Sequence, residues 1–104
     1  MEKKVKITVL NAEVNQELKA KYAVADLGPC PFHPKGQVLY TDGVHKPEEM
    51  CDYAWDAVKV MAGPLARGEL VQPRGTWLRE DHVGVVSCLD GVRPVIFLLE
   101  ACQS

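Results

Sequence analysis

The chain has 104 residues, 47% of them hydrophobic and 25% charged, with a net charge of −2. That is enough for one domain, residues 1–104, with its own apolar core, and it lacks the basic field that nucleic-acid binding needs. No apolar run approaches the ~20 residues of a membrane span, and the opening MEKKVKITVL alternates charge with apolar residues like a strand, not a signal peptide. These features place the protein in the cytoplasm. There its four cysteines stay reduced and act as core residues, metal ligands or reactive thiols.

In chain order, Lys4–Leu10 alternates with period two, so Val5, Ile7 and Val9 face a core while Lys4, Lys6 and Thr8 face water. Asn15 caps a short helix over Gln16–Ala23 with Leu18 and Tyr22 on its buried side. Pro29, Pro31 and Pro34 then hold residues 28–36 extended, a stiff loop presenting Cys30 and His33. Gln37–Thr41 is a short strand ending at Asp42-Gly43. Pro47 at a first helical position, with Glu48 and Glu49 behind it, starts the main helix, which runs to Ala62 and stops at Gly63-Pro64. Its apolar stripe is Met50, Tyr53, Ala54, Ala57, Val58 and Met61. Cys51 and Trp55 lie on the flank, Asp52 and Asp56 on the wetter side. From Leu65 to His82 the chain is an irregular connection, with Arg67-Gly68, Pro73 and Arg74-Gly75 as turn signals around Trp77.

The last segment, Val83–Leu99, holds two β-rich runs about Asp90-Gly91, the signature of a hairpin. Pro94 cannot donate to a ladder, which favours a four-residue loop from Leu89 to Val92. That register sets Cys88 opposite Arg93, Val86 opposite Val95 and Gly84 opposite Phe97. One face carries Val83, Val85, Leu89, Val92, Ile96 and Leu98. The other carries Val86, Cys88, Arg93, Val95, Phe97 and Leu99. Both are apolar and both need cover. The expected fold is α+β: a mainly antiparallel sheet of Lys4–Leu10, Val83–Leu89 and Arg93–Glu100 with a C-terminal hairpin. The main helix covers one face, and homodimer formation covers part of the other.

Gly28-Pro29-Cys30-Pro31, Cys51-x-x-Ala54-Trp55 and Cys88-Leu-Asp-Gly-Val-Arg-Pro-Val-Ile-Phe97, together with the Lys-Val-Lys-Ile-Thr-Val start at Lys4, resemble a family of small prokaryotic proteins of about this length. The resemblance spans nearly the whole chain. It implies a shared fold and shared cysteine positions and no particular reaction. Its pattern picks out Cys30, Cys51, Trp55, Cys88, Asp90, Gly91, Arg93 and Pro94, and does not include His33 or Cys102.

Two site chemistries follow from the residues. Cys30-x-x-His33 has the spacing of half a zinc site, and Cys51 and Cys88 complete a tetrahedral set; the three cysteines without His33 leave a position open, as for water, substrate or an iron–sulfur cluster. Alternatively Cys88 is a reactive thiol beside the Arg93 cation, with Arg93 holding a carboxylate or phosphate in its two-pronged fork and Cys51 and Trp55 walling a small pocket. Against both stands the plain reading, in which the cysteines fill the core and Arg93 pairs with Asp90 at the hairpin end. Asp52, Asp56, His45 and His82 are read as solvated, and no phosphate loop, nucleotide fingerprint or hydrolase elbow is present in the sequence. Three functions stay open: a cysteine-centred metal or thiol-redox accessory, a small enzyme without organic cofactor acting on an anionic metabolite at Cys88 and Arg93, and an interaction module.

Overall fold

The computed structural model describes residues 2–72 and 76–102. Its elements in chain order are β1 (Val5–Ala12), α1 (Gln16–Tyr22), β2 (Val38–Thr41), α2 (Asp52–Ala66), β3 (Val83–Ser87) and β4 (Val95–Ala101). The strands form one antiparallel sheet in the order β2-β1-β4-β3. α2 lies across one face, giving the α+β architecture that the alternating and helical patterns predict.

Period-two burial along β1 and β4 builds the core. Val5, Ile7, Val9, Val95, Phe97 and Leu99 are buried and meet Ala54, Val58, Ala62 and Leu65 of α2. A bulge at Leu10 lets β1 continue to Ala12, two residues beyond the expected end.

α2 departs from the sequence reading at both ends. Pro47–Met50 closes a separate turn, Met50 N–H to Pro47 O at 3.1 Å, and the helix starts behind Cys51, whose Sγ accepts the Ala54 N–H at 3.4 Å. The acidic pair after Pro47 therefore decorates a turn and not a helix start. Gly63-Pro64 does not stop the helix, which runs through Pro64 to Ala66. A proline there removes one helical hydrogen bond. Burying Leu65, worth ~1.5–3 kcal/mol, offsets that loss. Tyr53, expected inside, is 72% exposed: the face that meets the sheet is set by Ala54, Val58, Ala62 and Leu65 at three- and four-residue spacing, and Tyr53 lies off it.

The hairpin register is also displaced. Ser87 pairs with Ile96, Val86 with Phe97 and Gly84 with Leu99, and the Cys88 N–H donates to Val95 O at 2.9 Å. Cys88 thus lies opposite Val95, not Arg93. Asp90 Oδ1 accepts the N–H groups of Val92 and Arg93, which commits those residues to the turn, and Pro94 adds no donor, so pairing resumes only at Val95. A displacement of two residues preserves the faces. Val86 and Cys88 accordingly share the core side with Val95, Phe97 and Leu99. The side chain that Gly84 lacks leaves room for Met61 of α2, not for Phe97: a Cβ there would stand 2.8 Å from Met61 Sδ.

α1 is capped by Asn15 Oδ1, which accepts the Leu18 N–H at 3.0 Å. It buries no residue, and Tyr22 is 77% exposed, so its expected inward face is not packed. Beyond α2, Gln72 is buried and organises the connection by accepting the Trp77 and Leu78 N–H groups and donating to Leu78 O. The turn signals at Pro73 and Arg74-Gly75 lie outside the described residues. On the sheet face away from α2, Val38 and Val85 are exposed and Ile96 and Leu98 half-buried, beside the cross-strand row Lys6–Glu100. No helix among the described residues is long and apolar enough to cross a membrane.

Candidate functional site

At the end of the sheet where β3 leaves and β4 begins, a cleft of about 390 Å³ is lined by Cys30, Phe32, Lys46, Cys51, Asp52, Tyr53, Cys88, Asp90 and Arg93. The residues come from the proline-rich loop, the segment entering α2 and the hairpin turn. Its volume lies within the ~300–1,000 Å³ typical of small-molecule sites. Three of the four cysteines line it, while Cys102 is exposed elsewhere.

Each wall is fixed by its own chemistry. The loop carrying Cys30 is pinned through His33, which is fully buried, edge-on to Phe97. His33 Nε2 accepts the Cys51 N–H at 3.2 Å, and its Nδ1 lies 2.7 Å from Gln37 Oε1. The imidazole is thereby set as the tautomer that donates from Nδ1. Cys51 is the N-cap of α2, so its Sγ sits among the first N–H groups of that helix. Cys88 is held at the end of β3, where its Sγ accepts the Val95 N–H at 3.3 Å.

The charges are ordered by the turn. Burial raises the Asp90 pKa, but the Val92 and Arg93 N–H groups and the Arg93 guanidinium outweigh it and hold the carboxyl below its ordinary value. Arg93 spends Nε on Asp90 Oδ2 at 3.2 Å, and among the described residues its terminal nitrogens donate to no protein acceptor. Lys46 Nζ donates to Met50 O at 2.7 Å and lies 3.4 Å from Asp52. Two cations and two carboxylates therefore border the three thiols.

Of the sequence-derived site residues, Cys30, Cys51, Cys88 and Arg93 meet in the cleft. Trp55 does not line it; it packs half-buried against the core. His33 is drawn into the core with both ring nitrogens engaged, and among the described residues no group of three or more His, Cys, Asp or Glu is placed to hold a metal ion. The Cys₃His set is accordingly not assembled, and the cysteine trio lines a cleft without converging. The sequence reading missed Phe32, Lys46, Asp52 and Tyr53 as lining groups. Only the position of Phe32 and Asp52 beside Cys30 and Cys51 hinted at it.

Three comparisons were made, with family models, curated proteins and solved structures. None gave a match. What the site does rests on its own geometry.

Proposed function

We propose that the protein binds a small organic anion in this cleft, with Arg93 as the anchor and Cys88 as the thiol that meets the ligand. The observation that carries the reading is the gathering of Cys30, Cys51, Cys88 and Arg93, from three separate segments of the chain, around one ligand-sized cleft. The free fork of Arg93 matches a carboxylate or phosphate bidentately, a charge-assisted contact about twice as strong as a neutral one. Five residues picked out by the resemblance to a family of small prokaryotic proteins, Cys30, Cys51, Cys88, Asp90 and Arg93, lie on its walls. All four cysteines are free thiols, in keeping with a reducing, cytoplasmic setting.

Titration calorimetry with acetate, succinate and inorganic phosphate tests this reading. Saturable binding of at least one anion is expected, weakened about tenfold or more in Arg93→Leu, as loss of one charge-assisted pair predicts, and unchanged in Arg67→Leu, whose guanidinium pairs with Glu69 on the surface. Equal binding by the wild type and Arg93→Leu, or none by either, contradicts it.

For the sheet face away from α2 we propose a second copy of the chain. Val38, Val85, Ile96 and Leu98 form its apolar centre, and the neighbouring Lys6–Glu100 row places a cation beside an anion. A two-fold axis sets such a row against itself with charges matched.

A further inference from the structure

Resting on the anion-site reading, we infer that the cleft takes a low-molecular-weight disulfide bearing a carboxylate, and that Cys88 is the sulfur that exchanges with it. Among the described residues that line the cleft none is a histidine, and His33 nearby has both ring nitrogens occupied. Acyl transfer by a cysteine needs a base to activate the thiol and an acid for the leaving group, and the carboxylates on these walls are already paired, Asp90 with Arg93 and Asp52 with Lys46. Thiol–disulfide exchange needs neither, because the departing group leaves as a thiolate. It needs access to the sulfur, room for a linear approach, and positive charge for the leaving thiolate. Cys88 is half-buried on the cleft wall, and Arg93, whose terminal nitrogens donate to no protein acceptor among the described residues, supplies the charge.

Cys88 is favoured over the other two sulfurs by its place in the hairpin. It and Arg93 flank the same turn, which Asp90 holds through three hydrogen bonds. A carboxylate seated on Arg93 therefore brings its own disulfide to the same end of the hairpin as Cys88 Sγ. In the exchange the Cys88 thiol gives its proton to solvent and its sulfur attacks one sulfur of R–S–S–R. A Cys88–S–S–R bond forms, the R–S–S–R bond breaks, and the electron pair leaves with R–S⁻, which takes up a proton from water. The balance is protein–SH plus R–S–S–R to protein–S–S–R plus R–SH, and excess thiol reverses it.

The test uses the 104-residue chain carrying Cys102→Ser to remove the exposed thiol, with 3,3′-dithiodipropionate as the carboxylate-bearing probe and bis(2-hydroxyethyl) disulfide as the neutral one. Each rate is divided by that of free N-acetylcysteine with the same reagent. Intact mass should show one adduct of half the reagent, reversed by reductant and mapped to Cys88, and the normalised rate should favour the carboxylate probe by about tenfold, the worth of one charge-assisted contact. Arg93→Leu should abolish that preference, slowing the carboxylate probe about tenfold more than the neutral one. Cys88→Ser should lose the adduct, and peptide mapping of the chain that keeps all three cleft cysteines should find none at Cys30 or Cys51. An adduct at Cys30 or Cys51 in place of Cys88, no adduct, or a preference indifferent to Arg93 overturns the inference. Arg93-dependent anion binding without exchange would remove the disulfide and leave the anion site standing. Loss of both would remove both.

Discussion

His33 and Asp90 are the two polar residues on which the cleft depends. His33 satisfies the Cys51 N–H and the Gln37 Oε1 from a fully buried position, so His33→Leu strands those two atoms, while Gln37 Nε2 keeps its bond to Phe32 O. A buried donor so stranded costs about 1–3 kcal/mol, and a urea midpoint lowered to that extent is expected, with faster alkylation of Cys30 and Cys51 as their loop and cap loosen. Asp90 works through charge. Its folded-state pKa lies below the ordinary 3.8, so its contribution is complete above that value and is lost as pH falls through the lowered one. The difference in urea midpoint between the wild type and Asp90→Asn should therefore be present at pH 6 and shrink on acidification below about 4; a difference that persists unchanged at low pH would remove this role. The sequence pointed to the cysteines and Arg93 because those residue types carry chemistry wherever they lie. It gave no sign that His33 is core: three residues after Cys30 in a proline-rich loop it reads as half a zinc site, and its burial depends on Phe97, far along the chain.

At the scale of elements, the packing of α2 on the sheet turns on two glycines. Gly84 admits Met61, and Gly43 is left-handed, with φ of +91°, where an added Cβ would run into Ala66 near the end of α2. Gly84→Ala should destabilise by about 1–3 kcal/mol, the usual cost of overpacking, and much less when combined with Met61→Ala. Purely additive losses in that double-mutant cycle would refute the contact. The strands were legible because alternation follows directly from the pleat. The boundaries of α2 were not. Pro47-Glu48-Glu49 has the chemistry of a helix start, and what defeats it is local competition: the Pro47–Met50 turn, the Lys46 bond to Met50 O, and a cysteine serving as cap. The hairpin faces were readable and its pairing was not, since a displacement of two residues leaves every side chain on its face.

For the whole molecule, the strand order β2-β1-β4-β3 places the C-terminal strand in the middle of the sheet. No local pattern in the sequence announces that order, because it is decided by which long-range pairings bury the most apolar surface. Among the described residues α2 is the helix packed on the sheet, and it covers one face. Sedimentation should show a dimer that dissociates on dilution, and Leu98→Lys should give a folded monomer; a monomer at every concentration would remove the second copy.

The cleft itself is a product of this whole-molecule arrangement, in which the proline-rich loop, the start of α2 and the hairpin turn converge at one end of the sheet. The most direct test of that convergence compares alkylation of Cys88 by iodoacetate and by iodoacetamide, followed by peptide mapping, in the wild type and in Arg93→Leu. The ratio of the two rates cancels general thiol reactivity and reports the cation beside the sulfur. The ratio should favour iodoacetate in the wild type and fall several-fold, by roughly the ~1 kcal/mol of a half-exposed charge contact, in Arg93→Leu. A ratio identical in the two proteins would show that Arg93 and Cys88 do not form one site.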